Sequence, residues 1–310
     1  MLPALLVEAF AEGPCQGNGA AVVHLDSPLA DGQLQNLARS FNQSETAFLW
    51  REGEAWRLRW FTPSCEVPLC GHATLAACLA LGHWGLLTGG KAMHFQTRSG
   101  ALAVQLQASD GLAASIELPS APLEPLPCPS QLCSLLERHL GQQPQGFWRS
   151  SLGYAVVLIS SQCPLAAMPS LAADLQESER AGLVVMQAVG DQVGAERQVL
   201  GFPADYQLRF FAPGLGIDED PVTGSAHALV APYWLQRLGA NQVVGWQCSP
   251  RPGGMVCQPA ADGRIRLIGK GHVLWDGQVD IQVAIQARPE CVVSASATTE
   301  VSALRTWRSL

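Results

Sequence analysis

Apolar and polar residues alternate in short stretches through most of the chain. This period of two predicts strands far more often than helices. In the first half the strands are expected at 5–9, 20–25, 46–50, 55–61, 93–97, 101–107 and 114–118. The alternation is clearest at Leu102, Val104 and Leu106, which share one face of a half-buried strand. Two segments break this rhythm. Residues 31–41 are expected to form a helix that opens on Asp31, a residue type suited to a cap. Residues 72–86 are apolar on nearly every side (Ala73, Leu75, Ala76, Ala77, Cys78, Leu79, Ala80, Leu81), the signature of a buried helix.

The second half repeats the plan. Strands are expected at 154–160, 183–187, 206–211, 243–248, 254–258, 264–268 and 279–285, and a second apolar helix at 225–238. Pro232 falls inside that helix, where it is expected to kink or interrupt it. The halves also share words: Leu58-Arg59-Trp60-Phe61-Thr62-Pro63 returns 150 residues later as Leu208-Arg209-Phe210-Phe211-Ala212-Pro213. After each copy a short loop leads to a glycine opening the apolar helix, Gly71-His72-Ala73 and then Gly224-Ser225-Ala226. Repetition at so long a period predicts two related domains rather than a solenoid.

The expected architecture is therefore α+β, with two pseudo-symmetric domains. Each is a mostly antiparallel, barrel-like sheet around one central helix. Five prolines (119, 122, 125, 127, 129) mark an extended linker. The domains are placed at 1–120 and 121–287, with a peripheral tail rich in Ser, Ala and Thr at 288–310.

Composition narrows the function classes. Apolar residues are 48% and charged residues 15% of 310, which argues against disorder and for two cores of ordinary size. The net charge of -7 and the lack of a basic run argue against nucleic-acid binding. No apolar stretch has the length of a membrane span, and Glu8 and Glu12 sit where a signal peptide is apolar. Ten cysteines without a C-x-x-C pair read as buried free thiols in a reducing cytoplasm.

Four places hold candidate chemistry. Glu45, at the mouth of an apolar strand, is either an exposed strand end or a desolvated carboxyl; desolvation is expected to raise its pKa toward a useful proton-transfer range. At Cys70-Gly71-His72 the helix start offers free N–H groups and a histidine, or simply begins a helix. Cys65, Cys70 and His72 fit no standard zinc spacing, so no metal is expected. The run Glu219-Asp220-Pro221-Val222-Thr223-Gly224-Ser225 feeds the second helix. Ser225 reads as its N-cap and Asp220 as a turn residue, or the two belong to a site. A hydrolase triad lacks the G-x-S-x-G elbow. Gly17-Asn18-Gly19 precedes a strand and lacks a third glycine, so it is no dinucleotide loop.

Taken together, these segments resemble the phenazine-biosynthesis PhzF family, whose fold is that of diaminopimelate epimerase. The matching stretches are Gly17-Asn18, Ser44-Glu45-Thr46-Ala47-Phe48, residues 59–63 through Glu66-Val67, Leu69-Cys70-Gly71-His72-Ala73-Thr74, and residues 209–213 through Glu219 to His227, ending at Pro232-Tyr233-Trp234. They run in order over roughly the first 285 residues. Gly19 stands where the family usually has proline, and the tail after Gln286 has no counterpart.

The resemblance implies a cofactor-independent isomerase, homodimeric, acting on a small carboxylated substrate of the dihydro-hydroxyanthranilate kind. It implies that Glu45 moves a proton between carbons in an interdomain cleft, with His72, Asp220 and Ser225 assisting. Asn18, Gly71, His72, Ala73, Thr223, Gly224 and Ser225 are the implied substrate contacts. The epimerase relatives use two cysteines; Cys70 matches the first, and Pro221 stands at the second junction without one. An amino-acid racemase or epimerase, or a non-catalytic metabolite-binding protein of the same fold, are the alternatives.

Overall fold

A computed structural model describes residues 1–107, 113–190 and 196–281. The chain forms two compact units. One comprises Met1–Glu117 with the C-terminal segment from Lys270, the other Leu118–Gly269.

In the first unit the strand Leu2–Ala9 pairs antiparallel with Asn18–His24, which runs parallel to Glu45–Glu52. Ala55–Phe61 then lies antiparallel to Glu45–Glu52 and parallel to Ala92–Thr97. Gly100–Leu106 and Ala113–Pro119 complete the order by antiparallel pairing. Two helices serve this sheet. α1 (Asp31–Phe41) lays Leu34, Leu37 and Ala38 against Val23, Leu25, Phe48, Trp50 and Phe61. α2 (Gly71–His83) is buried from His72 to Leu81 and packs on strands Leu2–Ala9, Asn18–His24, Glu45–Glu52 and Gly100–Leu106. Its small residues let strands approach closely: a Cβ on Gly82 would lie 2.7 Å from the Leu106 side chain. Burial of Leu75, Leu79 and Leu81 stabilises the unit by about 1.5–3 kcal/mol each.

The second unit repeats the order of parallel and antiparallel pairs. Gly146–Ser150 is antiparallel to Ala155–Leu158, which is parallel to Leu183–Ala188. Tyr206–Ala212 is antiparallel to Leu183–Ala188 and parallel to Val243–Gln247. Gly253–Pro259 and the start of Arg264–Val279 follow, both antiparallel. α4 (Gly224–Leu238) occupies the place of α2 and packs on Val243–Gln247 and Gly253–Pro259. In place of α1 come two 3-10 turns, Leu165–Ala167 and Ala172–Asp174. Leu165 of the first, and Leu171 and Leu175 on either side of the second, share a core with α3 (Ser130–Leu140), an element the periodicity did not predict.

The closing strands are exchanged. After Ala113–Pro119 the chain leaves the first unit, and Leu123–Pro125 pairs with Gly146–Ser150 of the second. After residue 269 the strand Arg264–Val279 runs on into the first unit, where residues 271–279 pair antiparallel with Leu2–Ala9. The expected boundary at 287 is therefore corrected: residues 270–281 belong to the first unit. Without them Leu2–Ala9 would present an open edge. The proline-rich linker contains one short strand, placed at an edge where a missing N–H is tolerated. The expected strand 279–285 lies mostly outside the described residues, as do the tail at 288–310 and Cys291.

Several local expectations change. Asp31 is the first helical residue rather than the cap; Ala30 holds the cap position and its N–H donates to Gln33 Oε1 at 3.1 Å. Ser225 likewise lies inside α4, whose cap position is Thr223. α4 runs unbroken through Pro232, which lies on its exposed side; burial of Ala226–Ala231 and Trp234 offsets the lost backbone bond. Of the nine described free cysteines, Cys15 and Cys65 are exposed rather than buried. Among the described residues no helix is long and apolar enough to cross a membrane.

Candidate active site

The first unit gathers Asn18, Ser44, Glu45, Cys70 and His72 at one place. Parallel pairing sets Ala20 beside Glu45, which brings the start of strand Asn18–His24 to the residues just before Glu45. Gly17 makes this possible. Its φ is +69°, and a Cβ there would lie 2.4 Å from the Ala9 carbonyl oxygen. α2 begins on the same edge, with Cys70 at its cap and His72 in its first turn. Glu45 is 9% exposed and His72 and Cys70 6% each, so all three groups are largely withdrawn from water. Glu45 Oε2 stands 3.1 Å from His72 Nε2. This is an ion-pair contact rather than a directed hydrogen bond; among the described residues Oε2 has no well-aligned donor.

The proton on His72 follows from Ser44. Its Oγ lies 3.2 Å from Asn18 Oδ1, 3.1 Å from the Gly19 carbonyl oxygen and 3.2 Å from His72 Nε2. The carbonyl can only accept, so the hydroxyl hydrogen turns away from the ring and Oγ accepts from Nε2–H. Nε2 thus carries a proton between Ser44 and Glu45. On the other ring nitrogen, Nδ1 is 3.5 Å from Cys70 Sγ.

Electrostatics reverse one expectation. Burial by itself raises the Glu45 carboxyl. The charge of His72 and the polar hydrogens of His72, Ser44 and Cys70 outweigh it, and the pKa falls below its ordinary value. His72 moves the other way: burial lowers it, but the charges around it hold it well above 6.5. Cys70 rises to about 11, through burial and then the neighbouring carboxylate, so it rests as a thiol. Of the two groups that raise His72, Cys70 first and then Glu45, only Glu45 is charged at rest. The resting state is carboxylate and imidazolium, not the neutral carboxylic acid that desolvation alone predicts.

The second unit builds its own junction. Asp220 ends the strand Ile217–Asp220 and is buried; its Oδ2 accepts from Thr223 Oγ1 at 2.5 Å. Gln247, fully buried on a neighbouring strand, braces the turn. Its Oε1 accepts from Thr223 N–H at 2.8 Å, and its Nε2 donates to the Asp220 carbonyl at 2.6 Å. Gly224 opens α4, and Ser225 Oγ lies 3.3 Å from the Tyr154 hydroxyl. Ser225 thus meets a tyrosine, which leaves the hydrolase triad without support. His227, two positions on, points into the core, where Tyr206 OH contacts Nδ1 at 2.9 Å and burial drives its pKa down to about 3.

Each unit ties the approach to its junction with the repeated arginine. Arg59 donates to both oxygens of Glu66, at 2.6 and 2.8 Å; Arg209 does the same to Glu219, at 2.6 Å each. Each guanidinium also sits about one ring away from a phenylalanine two residues on, 5.0 Å over Phe61 and 5.1 Å over Phe211. The forks fix the short strands Glu66–Val67 and Ile217–Asp220, which lead into the helix starts.

Of the sequence candidates, the structure brings Asn18, Glu45 and His72 together with the first turn of α2 (Gly71, Ala73). Separately, it joins Asp220 and Thr223, with Gly224 and Ser225 following. Sequence reasoning missed Ser44, Gln247 and Tyr154 as partners. Ser44 was within reach, being adjacent to Glu45. Gln247 and Tyr154 carry no local signal, because their neighbours are set by strand pairing. Cys65, weighed as a metal ligand, is instead exposed and bonded to Thr62.

The family model described as phenazine biosynthesis-like protein matches residues 7–277. A protein of Pseudomonas aeruginosa named an uncharacterized isomerase is 39% identical over 275 residues, covering 88% of this chain and 96% of that one. The crystal structure of a PhzF-family protein from Enterococcus faecalis superposes with a TM-score of 0.78 at 31% identity, over 90% of this chain and 99% of that one. A probable proline racemase from Agrobacterium radiobacter, at 12% identity, shares the fold with a TM-score of 0.59 over 90% of this chain and 93% of its own. The family match spans both repeated units, and the chain belongs to the phenazine biosynthesis-like PhzF family.

Proposed function

We propose that this chain is a cofactor-independent isomerase that shifts a proton on a small carboxylated substrate, with Glu45 as the acid–base group. The buried Glu45–His72 contact carries this reading. It supplies a desolvated carboxylate with one unbonded oxygen beside a proton-bearing imidazolium. The carboxylate takes a proton from carbon and returns it to another carbon. The imidazolium and the free N–H groups at the α2 start hold the substrate's carboxylate or the negative charge that develops. A substrate anion beside His72 loosens its hold on Glu45 and raises the basicity of the carboxylate as the reaction begins. Asp220, Thr223, Gly224 and Ser225 form a second polar helix start of the same kind in the second unit. The relatives' names support an isomerase, and the donors at the helix start support a substrate that carries a carboxylate.

Cys70 favours a second reading. Its sulfur beside His72 suits an amino-acid racemase or epimerase, and the fold is shared with a probable proline racemase. Pro221 offers no second thiol, which leaves a two-thiol mechanism without its partner.

The test is incorporation of solvent deuterium at carbon across a panel of small cyclic acids and amino acids, using wild type and Glu45→Gln. Exchange in wild type that Glu45→Gln abolishes supports the proposal. Exchange that survives Glu45→Gln removes Glu45 from the mechanism.

A further inference from the structure

We propose that Glu45, Cys70 and His72 also form a binding site for one thiophilic divalent cation of the zinc class, which displaces the resting ion pair and acts as an inhibitor rather than a cofactor. A carboxylate oxygen, a thiol sulfur and an imidazole nitrogen from these residues lie within 4.8 Å of one another, all buried. Zinc bonds of about 2.0–2.3 Å place neighbouring donors of a tetrahedron about 3.3–3.8 Å apart. Here Oε2 and Nε2 are 3.1 Å apart and Sγ and Nε2 4.0 Å, so small side-chain shifts suffice. Oε2 has no directed hydrogen bond to lose on coordination. The three donors leave the fourth position open to water or a small anion.

The sequence spacing hid this set. Cys65 was the residue weighed with Cys70 and His72, whereas the third donor comes from Glu45, 25 positions before Cys70, delivered by a strand that packs against α2. On binding, the thiol releases its proton to solvent and the imidazolium releases the one on its coordinating nitrogen. The carboxylate releases none, and no electrons move. Binding itself does not depend on the chain being an isomerase. That the cation silences the site rests on Glu45 being the acid–base group.

The experiment is titration of the reduced, chelator-treated full chain with Co²⁺ alone, followed by Zn²⁺. Exposed Cys15 and Cys65 are both replaced by serine to remove competing thiols. One equivalent of cobalt should bind, with a thiolate-to-cobalt charge-transfer band that zinc bleaches. Cys70→Ser should abolish the band and weaken binding by more than the roughly 10–100-fold that loss of an outer partner costs. Absence of the band, its persistence in Cys70→Ser, or its loss on replacing Cys15 and Cys65 alone would overturn the proposal. Should Cys70→Ser fail to fold by circular dichroism, Glu45→Gln decides. It must keep the band while cobalt affinity falls at least about tenfold, and unchanged affinity overturns the site. Loss of deuterium exchange on zinc addition then tests inhibition separately.

Discussion

His72 Nε2 reaches Glu45 Oε2 across 3.1 Å at a place where both side chains are nearly dry, and this contact sets the charge of each. Neither group titrates as it would alone. Burial would neutralise both, yet His72 lowers the Glu45 carboxyl, and Cys70 and then Glu45 raise His72.

That coupling fixes the shape of the pH–rate profile. With the free enzyme, kcat/KM should fall on the acid side only as pH drops through a Glu45 pKa below the usual carboxylate range. On the basic side it should fall as pH rises through a His72 pKa well above 6.5. Glu45→Gln keeps size and hydrogen bonding but cannot take and return a proton, so turnover should drop by about 10²–10⁴-fold or more. An acid limb near or above the ordinary glutamate range would show that desolvation, not His72, dominates.

Stability should follow the same pair. A depressed Glu45 adds stability above its unfolded value, about 4.3, and this is lost as pH falls through the folded pKa. A raised His72 adds stability that is complete below about 6.5 and is lost as pH rises through its folded pKa. Urea unfolding of wild type and His72→Gln across this range should show wild type losing its advantage at both ends. Parallel curves would mean the pair contributes nothing to folding.

Cys70→Ser should retain most isomerase activity, since the thiol is neutral at physiological pH and Pro221 offers no partner thiol. A loss as deep as that of Glu45→Gln would instead favour the racemase reading.

The repeated arginines should differ in cost. The Arg209 side chain is 4% exposed, and besides Glu219 it donates to the carbonyls of Leu165 and Met168. Arg59 is 14% exposed, and its partner Glu66 keeps Arg98 when Arg59 is removed. Arg209→Met, which strands a buried carboxylate, should cost about 3–5 kcal/mol in urea unfolding. Arg59→Met should cost clearly less. Equal losses would show that the second cation at Glu66 does not compensate.

Strands and buried helices were legible because their signal is local: Leu102, Val104 and Leu106 alternate, and the residues after His72 are apolar on all sides. The two junctions were legible because polar residues and a glycine crowd before each apolar helix. Glu45 alone looked no different from a surface strand end, and only its company of matching segments singled it out. The direction of its pKa was beyond reach, because it depends on His72 arriving from another element. Gln247 and Tyr154 were hidden for the same reason. The boundary at 287 failed because which sheet a strand joins is settled by the edge it meets, not by its own sequence.

The exchanged closing strands carry a consequence for how the two halves can exist. A fragment ending in the proline-rich stretch would lack residues 271–279 and leave one side of Leu2–Ala9 unpaired, a bare edge open to aggregation. The complementary fragment would carry that strand with nowhere to place it. Expressed separately, the halves should be insoluble; co-expressed, they should reconstitute. Whatever duplication produced the repeat, each half now needs the other's chain present, and neither can stand alone without first acquiring a closing strand of its own.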